Sequence, residues 1–148
     1  MSLNNLYLFV RKSELLTILP LLKDPYVLFR KTNAKELYNA YHHHPEIQLE
    51  YIVKGSGVQI IGGVYSRFQS GDMVLLGSGL PHLRKPDHPS KKVGLDGDIE
   101  VITLIFSKDL FSDIMLSLSE FSNIQKLLDM AKQGILIKGN KKKGSRIY

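Results

Sequence analysis

The chain has no cysteine among its 148 residues, which excludes disulfides and thiolate metal sites and fits a reducing compartment. It also lacks any apolar run near the roughly 20 residues needed to span a membrane. Its first residues, MSLNNLYLFVRKSELL, show no basic start followed by an uninterrupted apolar stretch, so no secretory signal is expected. The sequence therefore reads as cytoplasmic, with no membrane partner. Internal repeats and low-complexity blocks are missing too. Acidic residues are in deficit, 14 against 20 Lys and Arg, for a net charge of +6. That excess sits in the tail: residues 138–148 hold Lys138, Lys141, Lys142, Lys143 and Arg146 and no acid, so positions 1–137 carry 15 basic and 14 acidic residues, a net +1. A short basic tail on a near-neutral body reads as a solvated end rather than a nucleic-acid footprint.

What is present is an ordinary globular composition, 43% hydrophobic and 23% charged, in a length that suits one domain burying roughly two-thirds of its unfolded surface. The middle of the chain alternates as strands do. Residues 47–54 (IQLEYIVK) place Leu49, Tyr51 and Val53 on one face and Gln48, Glu50 and Ile52 on the other. Gly55-Ser56-Gly57 turns the chain into 58–61, and Gly62-Gly63 is a tight-hairpin signal because glycine accepts positive φ. Strands follow at 64–68, 73–76 and 99–106, the last (IEVITLIF) the clearest, with weaker candidates at 6–10 and 25–30. Many short strands at near-regular spacing predict a barrel or sandwich. The period then becomes helical. Ser122-Asn123-Ile124-Gln125 matches a capping box, Ile124, Leu127, Leu128 and Ala131 follow helical spacing, and Gly134 is a natural stop.

The chemically loudest stretch is His42-His43-His44-Pro45-Glu46-Ile47-Gln48. Imidazole and an oxygen donor at short spacing can converge on a divalent metal, and residues 42, 44 and 48 share strand parity. A fourth histidine, His82, ends the segment Gly71-Asp72-Met73-Val74-Leu75-Leu76-Gly77-Ser78-Gly79-Leu80-Pro81-His82. His43, of opposite parity, reads as solvent-exposed, Glu46 as a solvated turn residue, and His88 as a loop residue without a partner. Most aromatics, Tyr26, Phe29, Tyr38, Tyr41, Tyr51, Tyr65 and Phe68, read as core.

These two stretches resemble the paired motifs of cupins, with His42, His44, Gln48 and Gly55 at the positions of the first and Gly71, Gly79 and His82 at those of the second. Gln48 stands where metal-binding cupins usually have glutamate, and Gly77 where proline is usual. The finer texture, HHHPEIQLEYIVKGSGVQIIGG with GDMVLLGSGLPHLRKPD and the later FSDIMLSLSEFSNIQKLLDMAKQGI, resembles the N-terminal sensor domains of AraC family transcription regulators over roughly residues 25–137. The resemblance implies a mainly β, cupin-like (double-stranded β-helix or jelly-roll) barrel over 1–107, a helical linker and dimerisation segment of one or two α-helices over 108–137, and a basic tail over 138–148.

It further implies a bacterial regulator's ligand-binding domain without catalytic residues or cofactor. A small-molecule effector such as a sugar would be held near His42, His44, Gln48 and His82. A homodimer would pair through Ile124, Leu127, Leu128 and Ala131, with DNA read only by a separate helix-turn-helix domain. Such a unit pair needs about 100 further helical residues, and KGNKKKGSRIY has no apolar helical period. No metal is expected, because an amide at position 48 removes the negative charge that would help hold a dication. The competing reading is a small metal-dependent cupin enzyme, a dioxygenase or isomerase, using the three histidines and one oxygen donor. A third is a dimerisation domain with no ligand.

Overall fold

In a computed structural model of the chain, the described residues are 17–18, 27–33, 40–87 and 99–139. Ten strands run in order: β1 (Thr17–Ile18), β2 (Val27–Asn33), β3 (His42–His43), β4 (Ile47–Lys54), β5 (Ser56–Ile61), β6 (Val64–Gln69), β7 (Met73–Leu76), β8 (His82–Pro86), β9 (Glu100–Phe106) and β10 (Ile135–Ile137). Between β9 and β10 lie helix α1 (Asp113–Ser117), a 3-10 turn (Ser119–Phe121) and helix α2 (Ser122–Ala131). The strands form two five-stranded sheets, in the order β1-β3-β8-β5-β6 and β10-β7-β4-β9-β2. All pairings are antiparallel except β1 with β3. This is the mainly β, cupin-like barrel with a helical appendix that the sequence leads one to expect. The candidate strand at 6–10, together with Tyr26, Tyr38 and His88, lies outside the described residues.

The alternation in β4 takes its meaning from what lies on each side. Gln48, Glu50 and Ile52 are buried and paired in register with Ile105, Thr103 and Val101 of β9, which are buried as well. Ile52 and Val101 join Ile99 and Phe68 of the opposite sheet in one apolar cluster, so this face is the barrel interior. The opposite face of the same sheet is also apolar because α2 covers it: Ile47, Leu75 and Ala131 form a buried cluster flanked by Leu49, Phe106, Leu128 and Ile135. Two buried faces on one sheet explain why apolar residues occur at both parities.

Gly62 and Gly63 (φ 55° and 83°) make the two-residue β5–β6 hairpin, a conformation a side chain at either position would strain. The sequence misplaces one helix cap. Ser122 is the first residue of α2 and makes no capping hydrogen bond, since the 3-10 turn runs straight into the helix. The side-chain cap sits at Ser112, whose hydroxyl accepts from the Met115 N–H and starts α1. After Gly134, Ile135–Ile137 do not extend the helical linker; they pair with β7 as the edge of the second sheet.

A ring of buried polar residues at one end of the barrel

The barrel interior divides into two ends. The end around Phe68, Ile52, Ile99 and Val101 is apolar. The other is polar: His42, His44, Glu46, Gln48, Glu50, Gln59, His82, Arg84 and Thr103 are all buried. Strand pairing brings the sequence-distant residues together. His42 of β3 is the direct register partner of His82 of β8, and the β7–β8 turn is tied to the first motif where Gly79 N–H donates to the His44 carbonyl at 2.8 Å. Of the residues selected from sequence, His42, His44 and His82 therefore form one cluster, with ring centroids 4.3 Å (42–82), 5.1 Å (44–82) and 6.0 Å (42–44) apart. Gln48 lies in β4 of the other sheet and donates from Nε2 to Glu50 Oε1 at 2.9 Å.

Each imidazole is oriented by a backbone carbonyl. Nδ1 of His42 faces Ala40 O at 2.8 Å, that of His44 faces Glu46 O at 3.1 Å, and that of His82 faces Leu80 O at 2.9 Å. A carbonyl only accepts, so Nδ1 carries the proton in all three rings and Nε2 keeps its lone pair. Burial lowers the pKa of each, for His82 to about 3, while the carbonyl contacts and the charges of Glu50 and Glu46 oppose it only in part at His42 and His44. The three rings are thus neutral at physiological pH. Nε2 of His44 and of His82 is buried with no hydrogen-bond partner among the described residues. An unpaired buried acceptor costs about 1–3 kcal/mol, a cost that native cores rarely carry without a functional reason.

Five residues behave differently from their sequence reading. Glu46 is buried rather than solvated, with a carboxylate oxygen 3.5 Å from His44 Nδ1. His43 is half-buried rather than exposed, since β1 pairs alongside it. Phe29 (65%), Tyr51 and Tyr65 (both 37%) are exposed, outside the core in which they were expected. Sequence reasoning also missed Glu50, Gln59 and Arg84. Arg84 forms a buried ion pair with Glu50 across the two sheets, donates from a second nitrogen to Gln59 Oε1 at 3.0 Å, and lies 5.0 Å above the Phe68 ring. The parity shared by Gln48 and Glu50, and by His82 and Arg84, is the signal that would have found them.

The predicted dimerisation stripe splits in two. Ala131 is fully buried and Leu128 packs on the chain's own barrel, while Ile124 is half-buried and Leu127 is 46% exposed. The C-terminal turn of α2 is docked so closely that Gly77 N–H donates to Ala131 O at 2.8 Å, and a Cβ at Gly77 would lie 2.6 Å from that oxygen. Glycine at 77, where cupins usually have proline, supplies both the donor and the space.

Two facing sheets with a polar ring at one end define a cupin-like barrel. The sequence profile of the AraC-like ligand binding domain matches residues 26–135, and the chain belongs to that family. No curated protein sequence matches the chain. Among solved structures it is similar to apo ToxT K231A from Vibrio cholerae, with 17% identity, 80% of this chain covered and a TM-score of 0.49. It is similar also to unsaturated-fatty-acid-bound ToxT from the same organism (16% identity over 79% of this chain, TM-score 0.47). A third is protein NMB1881 from Neisseria meningitidis, with 13% identity, 70% of this chain and 97% of that one covered, and a TM-score of 0.41. The match spans 44% of the apo ToxT chain and 42% of the fatty-acid-bound one. No helix among the described residues is long and apolar enough to cross a membrane.

Proposed function

We propose that this chain is the effector-binding and dimerisation domain of a transcription regulator, with a small molecule held at the polar end of the barrel by His42, His44, Gln48 and His82. The observation that carries this reading is the pair of buried, unpartnered ring nitrogens on His44 and His82. A purely structural core would pair these atoms or replace them with carbon; a binding site keeps them for a bound group. Family membership supports a regulator over an enzyme. DNA recognition on this reading belongs to a separate domain, and cytoplasmic action follows from that role.

Occupancy has a physical route to the helices. His82 is held by the Leu80 carbonyl, Leu80 N–H donates to Gly77 O, and Gly77 N–H donates to Ala131 O in α2, while Gly79 is tied to His44. A ligand that moves either histidine moves the 77–81 turn on which α2 rests, and it shifts the equilibrium by its unequal affinity for the two arrangements. The test is a thermal-shift screen of small hydroxylated and carboxylated metabolites against the wild type and His82→Phe. A true effector at 100 times its Kd stabilises the wild type by about 2.7 kcal/mol and leaves the folded variant unmoved. A compound that stabilises both equally binds elsewhere and removes the site assignment.

A further inference from the structure

We infer that residues 135–139 form a detachable strap that closes a lateral opening of the barrel between β6 and β7, and that its release is the route by which a small molecule reaches the interior. The strap lies where the two sheets meet, since β6 ends the first sheet and β10 ends the second. On one flank β10 pairs with β7 through Ile135–Leu75, Leu136–Val74 and Ile137–Met73. On the other flank Lys138 Nζ donates to the Arg67 carbonyl of β6 at 2.7 Å. Leu136 plugs the seam from inside. Directly opposite residues of an antiparallel pair share a face, and Leu136 packs with its partner Val74 on Leu76, Leu80 and Ile61. Val74 and Leu76 are in turn the register partners of Glu50 and Gln48 on β4. Lifting Leu136 therefore uncovers the apolar layer beside the polar ring.

The fastening is concentrated at one point. Asp72, a buried carboxylate, accepts from Lys138 Nζ at 2.9 Å and from Gly139 N–H at 3.0 Å. The Lys138 side chain and Ile137 are each about half exposed, so water competes for the cation while the carboxylate stays in place. Segments that open locally are those with few buried apolar contacts and solvent-exposed hydrogen bonds. The strap is of this kind, with Ile135 and Leu136 only half-buried. A glycine bounds it at each end. Gly134 (φ 80°) ends α2 against Ile61, and Gly139 lies so close to Gly71 that a Cβ would stand 2.5 Å from the Gly71 carbonyl oxygen. Element-terminal residues absorb the backbone rotation of a hinge, so the strap can swing out from Gly134 while the Gly77–Ala131 hydrogen bond keeps α2 docked. The gate rests on this geometry alone; that the molecule admitted is an effector rests on the regulatory reading.

Diethyl pyrocarbonate, a small reagent that acylates neutral imidazole nitrogen, tests this on the full chain. It reports access to His82, whose ring is neutral and whose Nε2 is buried without a partner. Met73→Cys with Ile137→Cys places two thiols on directly opposed residues of β7 and β10, a placement a disulfide can bridge. The chain has no other cysteine, so oxidation locks the strap and nothing else. Peptide mapping by mass spectrometry should show His82 labelled in the reduced variant as in the wild type. Oxidation should slow that labelling at least about tenfold and leave His43 unchanged. Lys138→Met, which removes a charge-assisted hydrogen bond of the fastening, should speed it about tenfold. Equal rates in the locked and unlocked states, or no labelling of His82 in the native wild type, would overturn the gate. If the cysteine pair does not fold, native-state hydrogen exchange of the wild type decides. The amides of residues 135–139 should open in a step insensitive to low urea, unlike those of β4 and β9; a shared urea dependence would overturn the strap. A locked strap that slows labelling, with no compound active in the thermal-shift screen, would leave the gate standing and the regulatory reading without support.

Discussion

Glu50 and Arg84 face each other as opposite charges in the barrel interior, each side chain less than a tenth exposed. Such a pair adds little net stability, yet removing one partner strands the other's charge at a cost of about 3–5 kcal/mol. Glu50→Gln should therefore lower the urea-unfolding free energy by about that much, while Glu50→Met with Arg84→Met should lie closer to wild type than either single change. Additive losses in that cycle would show that the two residues do not act as a unit. Asp72 is a second buried acid. Burial pushes its carboxyl up, but hydrogen bonds from Lys138 Nζ (2.9 Å), Gly139 N (3.0 Å) and Gln69 N (3.0 Å) outweigh burial and hold it below its ordinary value of 3.8. A depressed carboxylate contributes stability that is fully present above its unfolded pKa and disappears as pH falls through the lower folded one. The wild type should lose stability on acidification below about pH 4 more steeply than Asp72→Asn, which lacks this contribution at every pH. Parallel acid limbs for the two proteins would exclude the Asp72 latch as their source.

At the scale of elements, helix α2 shows what periodicity conveys and what it omits. The spacing of Ile124, Leu127, Leu128 and Ala131 identifies the helix, and Gly134 (φ 80°) ends its last turn. Spacing does not say which apolar positions meet the chain's own barrel, because that depends on how the 77–81 turn receives the helix. Leu127 and Met130 of α2 are exposed, as are Ile114, Met115 and Leu118 of the α1 region. On the proposed dimer reading these exposed side chains are the candidates for the subunit contact, and a two-fold dimer would use the same residues on both copies. Leu127→Asp with Met130→Asp should give a folded monomer by sedimentation with an unchanged melting temperature. Leu128→Asp, which buries a charge against Ile47 and Leu75, should destabilise the fold instead. A dimer that persists in the first variant places its interface elsewhere. The strand reading was similarly partial. Residues 47–54 and 73–76 were legible to the residue, yet β10 was not, since ILI after a helix stop carries no alternation long enough to separate strand from helix.

For the molecule as a whole, the barrel and the convergence of His42, His44 and His82 were legible because both motifs carry their spacing in the chain. The interior ion pair was not, since nothing in the order of residues says that Glu50 of β4 and Arg84 of β8 look inward at each other from opposite sheets. The burial of Glu46 escaped notice for the same reason: a Pro-Glu step reads as a turn, and only the packed chain sets its carboxylate beside His44. The binding site proposed here requires that His82 carry a ring nitrogen the barrel's own stability does not need. Equilibrium unfolding of His82→Phe in chelated, ligand-free buffer tests that claim most directly. If the ring is a binding site, the change removes an unpaired buried nitrogen and a neutral imidazole, and the unfolding free energy should be unchanged or higher. A loss of about 2–5 kcal/mol, the size of a core truncation, would make His82 part of the scaffold and contradict the account.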